Sequence, residues 1–367
     1  MHKRIVFVLF GLAFMILGCT EQGPTPVAPT EEVGAGIAPE VEAQAWAILE
    51  QIGWPLEASE GELARAGMGQ SHENPTRVFE FERAVITEDV VHYSFNVPTG
   101  PGEYDRIGVH RVVRESSPYH PVRTDEALFL LHGDLKRFET MFTPGRFSPD
   151  LADDFGIAVY LAQNGVDVWG IDQAWNFVPP EETDFSFFAN WGLQREVDHL
   201  EIGLGIARTL RFLTGNGLDK MLLLGYSSGS ATGYALLNQE SQWPAWRRQV
   251  RGFIAADFGV RTDDPDWLTL AQGLVAQYQA VYDAGQYQDP IGFLQDAAFR
   301  ARTDPDGASP YAPGLTNLQF ALFVGGGPIF APSAAHYHAP ILEGGFPSDF
   351  QFVTIDQWLD FLTASAF

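Results

Sequence analysis

Met221-Leu222-Leu223-Leu224-Gly225-Tyr226-Ser227-Ser228-Gly229-Ser230 decides the reading of the fold. Four apolar residues in a row suit a strand buried on both faces. Gly-x-Ser-x-Gly follows at once, and Ala231 to Leu237 reads as the start of a helix. A serine at such a strand–turn–helix corner makes demands on its neighbours. The turn is so tight that side chains at the flanking positions would collide with nearby backbone, hence Gly225 and Gly229. The helix that begins there points free N–H groups and its positive dipole end back at the serine. Gly-x-Ser-x-Gly alone is a common pattern. Its place between a buried strand and a helix is what makes Ser227 a candidate nucleophile.

Working outward, Ala127 to Leu131 is a second continuous apolar run, followed by His132-Gly133-Asp134. Val166 to Ile171 and Val250 to Ala256 supply two more buried runs, while residues 78–81, 91–95 and 107–113 alternate as half-buried strands do. Helical stretches fall near 40–52, 150–164 and 194–213, the last with Leu200, Leu204, Ala207 and Arg211 at successive turns. Strands alternating with helices predict an α/β fold with a mostly parallel sheet and helices on both faces.

Together these features resemble the α/β-hydrolases of the lipase/esterase kind, including the acid-lipase branch. Four stretches carry the resemblance: the His132-Gly133 turn, residues 160–172 (YLAQNGVDVWGID), the long helix before the serine, and Gly225 to Gly229 itself. It covers roughly residues 78–260. The resemblance implies an α/β-hydrolase fold and hydrolysis of a small ester or lipid-like substrate through an acyl-enzyme on Ser227, with no metal and no organic cofactor. It further implies that the backbone N–H groups of Asp134 and Ser228 bind the oxyanion, with His132 steadying the turn.

A triad in this family runs Ser, acid, His. Asp257, at the end of the run 250–256, is a candidate acid, and reads equally well as a polar residue capping the next segment. After Ser227 the only histidines are His336 and His338. The family's histidine follows the last core strand. If Phe350 to Ile355 is that strand, with a helix beginning near Trp358, the slot holds Asp356-Gln357 and no histidine. Leu318 to Val324 reads as the preceding strand or as a cap helix. Two readings stay open: His338, ahead of His336, reaches the site from an unusual loop, or the chain lacks the terminal strands of its relatives and their histidine. A zinc site on His336-x-His338 has no evident third ligand.

The chain divides into a core at 41–260, a helical cap at 261–345 and a C-terminal core segment at 346–367. In the cap, Leu270, Leu274, Tyr278 and Tyr282 recur at i, i+4. With Trp175, Phe177, Phe185, Phe187, Phe188 and Trp191 they either line an apolar acyl site or serve packing alone. A lipid-anchored binding protein, a hydrolase fold without a working triad, is the competing function, and the missing histidine favours it.

With 22 Lys+Arg against 47 Asp+Glu, the net charge of −25 repels nucleic acid and anionic headgroups. The N-terminus reads as an export signal: His2-Lys3-Arg4, then fourteen uncharged residues from Ile5 to Gly18, then Cys19. Ile16-Leu17-Gly18-Cys19 resembles a bacterial lipobox, in which the cysteine is acylated and becomes the mature end. Cys19 is the only cysteine, so it has no partner for an intrachain disulfide. Residues 1–18 are then the signal peptide and 19–40, rich in Pro, Gly and acidic residues, a flexible tether to the membrane. Mass spectrometry of the membrane fraction should find Cys19 acylated at the mature N-terminus; an unmodified Cys19 or another mature end refutes export as a lipoprotein.

Overall fold

The computed structural model describes residues 36–68, 79–134, 136–146, 151–179, 182, 184–257, 263–285, 287, 293–326, 340–351 and 353–363. The elements run α1 (Pro39–Ile52), α2 (Glu60–Ala66), β1 (Phe79–Val85), β2 (Val90–Pro98), β3 (Arg106–Ser117), β4 (His120–Pro121) and β5 (Glu126–Leu131). Then follow α3 (Phe138–Phe142), α4 (Ile157–Gln163), β6 (Val166–Asp172), α5 (Leu193–Leu213), β7 (Met221–Tyr226), α6 (Ser228–Ser241) and β8 (Val250–Ala256). The chain continues with α7 (Pro265–Asp283), α8 (Phe293–Thr303), α9 (Asn317–Gly326), β9 (Pro340–Glu343), β10 (Phe346–Phe350) and α10 (Ile355–Thr363).

The central sheet has the order β1-β2-β3-β6-β5-β7-β8, with β4 on β3. It is mixed, which corrects the mostly parallel sheet expected from strand–helix alternation. β6, β5, β7 and β8 are parallel, whereas β1, β2 and β3 run antiparallel and β3 joins β6 antiparallel. Only residues 86–89 and 99–105 link the first three strands. Connections that short return a chain antiparallel, because a parallel step needs a crossover. The fold is thus α/β with a mixed sheet flanked by helices, consistent with an α/β-hydrolase-like arrangement.

Side chains alternate across the sheet. Phe129 and Leu131 enter a large apolar cluster with α1 and α5, while Leu128 and Leu130 face α3 and α4 on the other side. That alternation is why β5 reads as one unbroken apolar run. Where the antiparallel and parallel halves meet, Arg111 of β3 is fully buried. Its Nε and Nη2 lie 3.0 and 2.8 Å from the Asp167 carboxylate of β6, and Arg211 of α5 adds a third bond at 2.8 Å. The Trp54 and Trp169 rings cover the Arg111 guanidinium at 5.1 and 4.8 Å.

The C-terminal elements differ from expectation for a local reason. Thr316-x-x-Gln319 and Thr354-x-x-Gln357 are both reciprocal caps: each Gln side chain takes the Thr N–H at 2.9 Å, and each Thr hydroxyl takes the Gln N–H. Such capping boxes start helices. Residues 318–324 are therefore helical, and the run 350–355 is broken by the start of α10. β10 pairs instead with β9 in a hairpin turned by Gly344 and Gly345, both at positive φ. Residues 346–363 share a third apolar cluster with α8 and α9, around Trp358 and Leu322. Among the described residues the central sheet ends at β8, and no helix is long and apolar enough to cross a membrane.

Asp167→Ala should cost about 3–5 kcal/mol in urea unfolding, since it strands two buried guanidinium groups. Asp89→Ala, which breaks the exposed pair with Arg114, should cost under about 1 kcal/mol. Equal costs would show that the buried pair does not tie the two halves of the sheet.

Candidate active site

The parallel strands end level. Ile171, Leu131, Gly225 and Ala255 stand side by side in the ladder, so the residues just beyond them form a shelf. The chain leaves β5 outward to β6, then returns across it to β7. The crevice between β5 and β7 is therefore the point where the winding reverses, where ligands gather in sheets of this kind. The His132-Gly133 turn leaves one side of the crevice and Ser227 the other.

Ser227 has φ 52° and ψ −121°, a conformation costly for a residue with a side chain. Three bonds hold it: Ser227 N–H to Ala256 O at 2.9 Å, Ser230 N–H to Ser227 O at 2.9 Å, and Ser230 Oγ to Gly225 O at 2.6 Å. The glycines are required by contact. A Cβ on Gly229 would lie 2.4 Å from the His132 carbonyl oxygen, one on Gly225 2.5 Å from the Gly229 oxygen, and one on Gly133 2.8 Å from Ser227 Cβ. The two turns are thus pressed together. Among the described residues, nothing accepts from the N–H of Asp134 or of Ser228, which opens α6. Two free amides beside a strained serine can hold an anionic oxygen.

Two carboxyl groups flank the serine. Asp134 is half-buried; burial pushes its carboxyl up to about 6, and the nearby Ser228 hydroxyl draws it back down. Glu196, in the first turn of α5, accepts from Thr232 Oγ1 at 2.8 Å. Burial first, and then the nearby Asp134 charge, push Glu196 up to about 7. Tyr278 of α7 lies close enough to feel Asp134, and burial with that charge pushes its phenol up to about 12. Among the described residues no cation is paired with either carboxyl. Glu196 carries no signal in the sequence beyond its place in a long helix.

His132 points away from Ser227. Its Nδ1–H donates to the Gly133 carbonyl at 2.8 Å, and its Nε2 faces Asp172 at 3.5 Å. Asp172 also accepts the Phe138 N–H at 2.6 Å and meets His110 Nε2 at 3.3 Å; His110 Nδ1 lies 3.0 Å from His92 Nε2. Arg146 Nη1 stands 2.7 Å from His92 Nδ1. Since a guanidinium only donates, His92 Nδ1 must accept, so the proton sits on Nε2 and passes the same order to His110. Burial holds the His92 and His132 rings neutral, below their ordinary range. Asp172 is raised by burial, but His110, His132 and the Phe138 N–H outweigh this and hold it well below the carboxylate range. Its place at the end of β6, in the same shelf as Asp257, was the sequence signal.

His92, His110 and Glu139 place ligand-type atoms within 4.8 Å of one another. Arg146 Nη1 already occupies that space, 3.4 Å from Glu139 as well. A metal ion would meet a guanidinium there, so the cluster is a polar network.

Ser227, Ser228 and Asp134 are thus brought together. Asp257, one residue past Ala256, is exposed at φ 56°, and no described residue bonds its carboxylate. His336, His338 and Cys19 lie outside the described residues. His199 is engaged with Gln173 and Thr99, so no described imidazole bonds the Ser227 hydroxyl.

No protein-family model matches the chain, and no curated protein matches its sequence. Solved structures resemble it in part. A candidate lipase from Sulfolobus solfataricus is 20% identical with a TM-score of 0.44, over 70% of this chain and 73% of that one. A cold-adapted esterase from an Arctic intertidal metagenomic library is 12% identical, TM-score 0.32, over 53% and 71%. Acetyl xylan esterase 1 from a Thermoanaerobacterium species is 14% identical, TM-score 0.30, over 76% and 72%. With these TM-scores below 0.5, the likeness is one of partial chain path and says nothing of this chain's chemistry.

Glu196 gives the stability a pH signature. Its folded carboxyl titrates above its unfolded one, so its contribution is complete below about pH 4.5 and lost as pH rises through about 7. His92 and His132 act oppositely, their contribution being lost as pH falls below about 6.5. In urea unfolding, Glu196→Gln should gain on wild type between pH 4.5 and pH 8. A constant difference would mean that Glu196 is solvated in the folded chain.

Proposed function

We propose that the chain is a serine hydrolase that cleaves a small or lipid-like carboxylic ester through an acyl-enzyme on Ser227. One observation carries the reading: Ser227 is held in a strained turn at the N-terminus of α6, beside two amide N–H groups that have no partner among the described residues. A base removes the Ser227 hydroxyl proton as Oγ attacks the ester carbonyl, and the N–H groups of Asp134 and Ser228 take the oxyanion. The base returns the proton to the leaving alcohol, and water then hydrolyses the acyl-enzyme. His338, ahead of His336, is the proposed base and Asp257 the acid that orients it. The position of Asp257 on the shelf beside Ser227 supports this part.

The rest of the reading follows the same plan. Residues 41–260 form the hydrolase core and 261–345 a cap over it. Tyr282 Oη donates to the Ala189 carbonyl at 2.9 Å, joining α7 to the half-buried rings of Phe187, Phe188 and Trp191, whose centroids stand 4.7–5.2 Å apart. Such a wall suits an apolar acyl group. Export as a lipoprotein anchored through Cys19 would place the enzyme at a membrane surface. The competing reading, a lipid-anchored binding protein on the same fold, is favoured by one fact: no described imidazole reaches Ser227.

A fluorophosphonate probe separates the two. It should label Ser227 and no residue of a Ser227→Ala variant. His338→Ala should lower kcat on p-nitrophenyl esters by about 10⁴-fold or more with the fold intact by circular dichroism, and His336→Ala far less. Absence of both labelling and turnover in wild type would favour the binding protein. Full rates in both histidine variants would exclude this triad.

A further inference from the structure

The Gly133 carbonyl and the Asp134 N–H belong to one peptide group. That group is planar and trans, so the two point in opposite directions, and whatever holds the carbonyl aims the N–H. A donor on the carbonyl also polarises the group and strengthens the N–H across from it. Here the carbonyl accepts the His132 Nδ1–H at 2.8 Å, while the N–H, the proposed oxyanion donor, has no partner among the described residues. Two acceptors compete for that His132 proton. Burial keeps the ring neutral, with one proton to give, and the Asp172 carboxylate faces its other nitrogen, Nε2, at 3.5 Å. A carboxylate is the stronger acceptor of the two. The proton therefore stays on Nδ1 only where Asp172 is satisfied from elsewhere.

Asp172, at the end of β6, takes the Phe138 N–H at 2.6 Å, and His110 Nε2 is the nearer imidazole nitrogen, 3.3 Å from its second oxygen. His110 can present a proton there because its Nδ1, 3.0 Å from His92 Nε2, accepts one. His92 can donate because Arg146 Nη1, 2.7 Å away, claims the lone pair of His92 Nδ1. Phe138 stacks on His110 at 4.5 Å and on His92 at 5.9 Å and holds both rings in place, so only their protons are free to move. The Glu139 carboxylate, 3.6 Å from the same His92 Nδ1, is the alternative partner. Without the guanidinium, His92 turns its proton to Glu139 and His110 turns its own to His92. Asp172 then draws the His132 proton to Nε2, and each ring has kept one proton throughout. We propose that Arg146 is a remote positioning residue: by ordering the protons of His92 and His110 it keeps the His132 proton on the Gly133 carbonyl, and so sets the aim and strength of the Asp134 N–H. The inference rests on the serine-hydrolase reading of Ser227.

The test is Arg146→Met in the full chain; the side chain reaches the surface, 21% exposed, so the change does not open the core. Turnover of a p-nitrophenyl ester is read per active site, counted by fluorophosphonate titration. Since a donor is weakened and not removed, kcat per site should fall by about 3–30-fold, less than the roughly 10²–10³-fold of losing one outright, with KM within about twofold. A trifluoromethyl ketone, whose adduct on Ser227 carries an oxyanion, should lose affinity by the same factor as kcat/KM. Arg146→Lys, whose ammonium also only donates, should recover most of the loss. A merely structural role would lower the number of titratable sites and leave kcat per site unchanged, which overturns the inference. NMR of protein labelled with ¹⁵N-histidine reads the protons directly: wild type should carry them on Nδ1 of His132 and Nε2 of His92 and His110, and Arg146→Met the reverse. Unchanged tautomers in the variant overturn the inference while labelling of Ser227 leaves the hydrolase reading standing. Should the variant fold poorly, the wild-type spectrum decides alone, since a His132 proton on Nε2 overturns it. Absence of labelling and turnover in wild type overturns both.

Discussion

Backbone meets backbone at the crevice between β5 and β7 with no room for a Cβ. Gly133, Gly225 and Gly229 let the turn after β5, the end of β7 and the first turn of α6 close on one another. Everything distinctive about the site follows from that approach. It leaves Ser227 no relaxed conformation, and the strain, on the order of 1–3 kcal/mol, is held by bonds from Ser230 and to Ala256. It aims the first N–H groups of α6 at the turn of β5. It also brings the turn that carries Asp134 up to the serine, through Gly133.

A sheet whose strands end level is needed to bring those turns together, and polar groups buried inside the fold hold it so. Arg111, Asp167 and Arg211 fasten the junction of β3 and β6 to α5. Along the other face, the chain from Arg146 through His92 and His110 to Asp172 reaches His132. His92 and His110 each have their proton placed by the neighbour, starting from a guanidinium that can only donate, while the Gly133 carbonyl places that of His132. A partly satisfied network of this kind is costly in a low-dielectric interior. His132 is where the network touches the site, through the Gly133 carbonyl.

Burial sets the charge balance at the serine against the ordinary behaviour of carboxyl groups. On a chain with a net charge of −25, Asp134 and Glu196 are raised by burial, while Asp172 is lowered by the imidazoles and the N–H around it. The carboxyls differ in what faces them: the Thr232 hydroxyl for Glu196, imidazoles for Asp172. The same residue type thus serves as a reluctant acid on one side of the turn and a fixed anion on the other.

Much of this was legible along the chain. The runs 127–131, 166–171, 221–224 and 250–256 are each a parallel strand; the first is continuous because both its faces are buried, whereas β8 leaves Arg251 and Ile254 exposed. The serine corner announces itself because its glycines are demanded by contacts within a few residues and by one neighbouring turn. The two Thr-x-x-Gln capping boxes and the Gly344-Gly345 hairpin are local signals too, and they decide the C-terminal elements. The antiparallel half of the sheet, by contrast, depends on which strands share an edge, and apolar alternation is the same in either direction. Glu196, Asp172 and the paired histidines stand 18 to 104 positions from one another along the chain. Their chemistry arises from burial and from neighbours supplied by β2, β3, β6 and α5, so only the tertiary structure decides what those groups are.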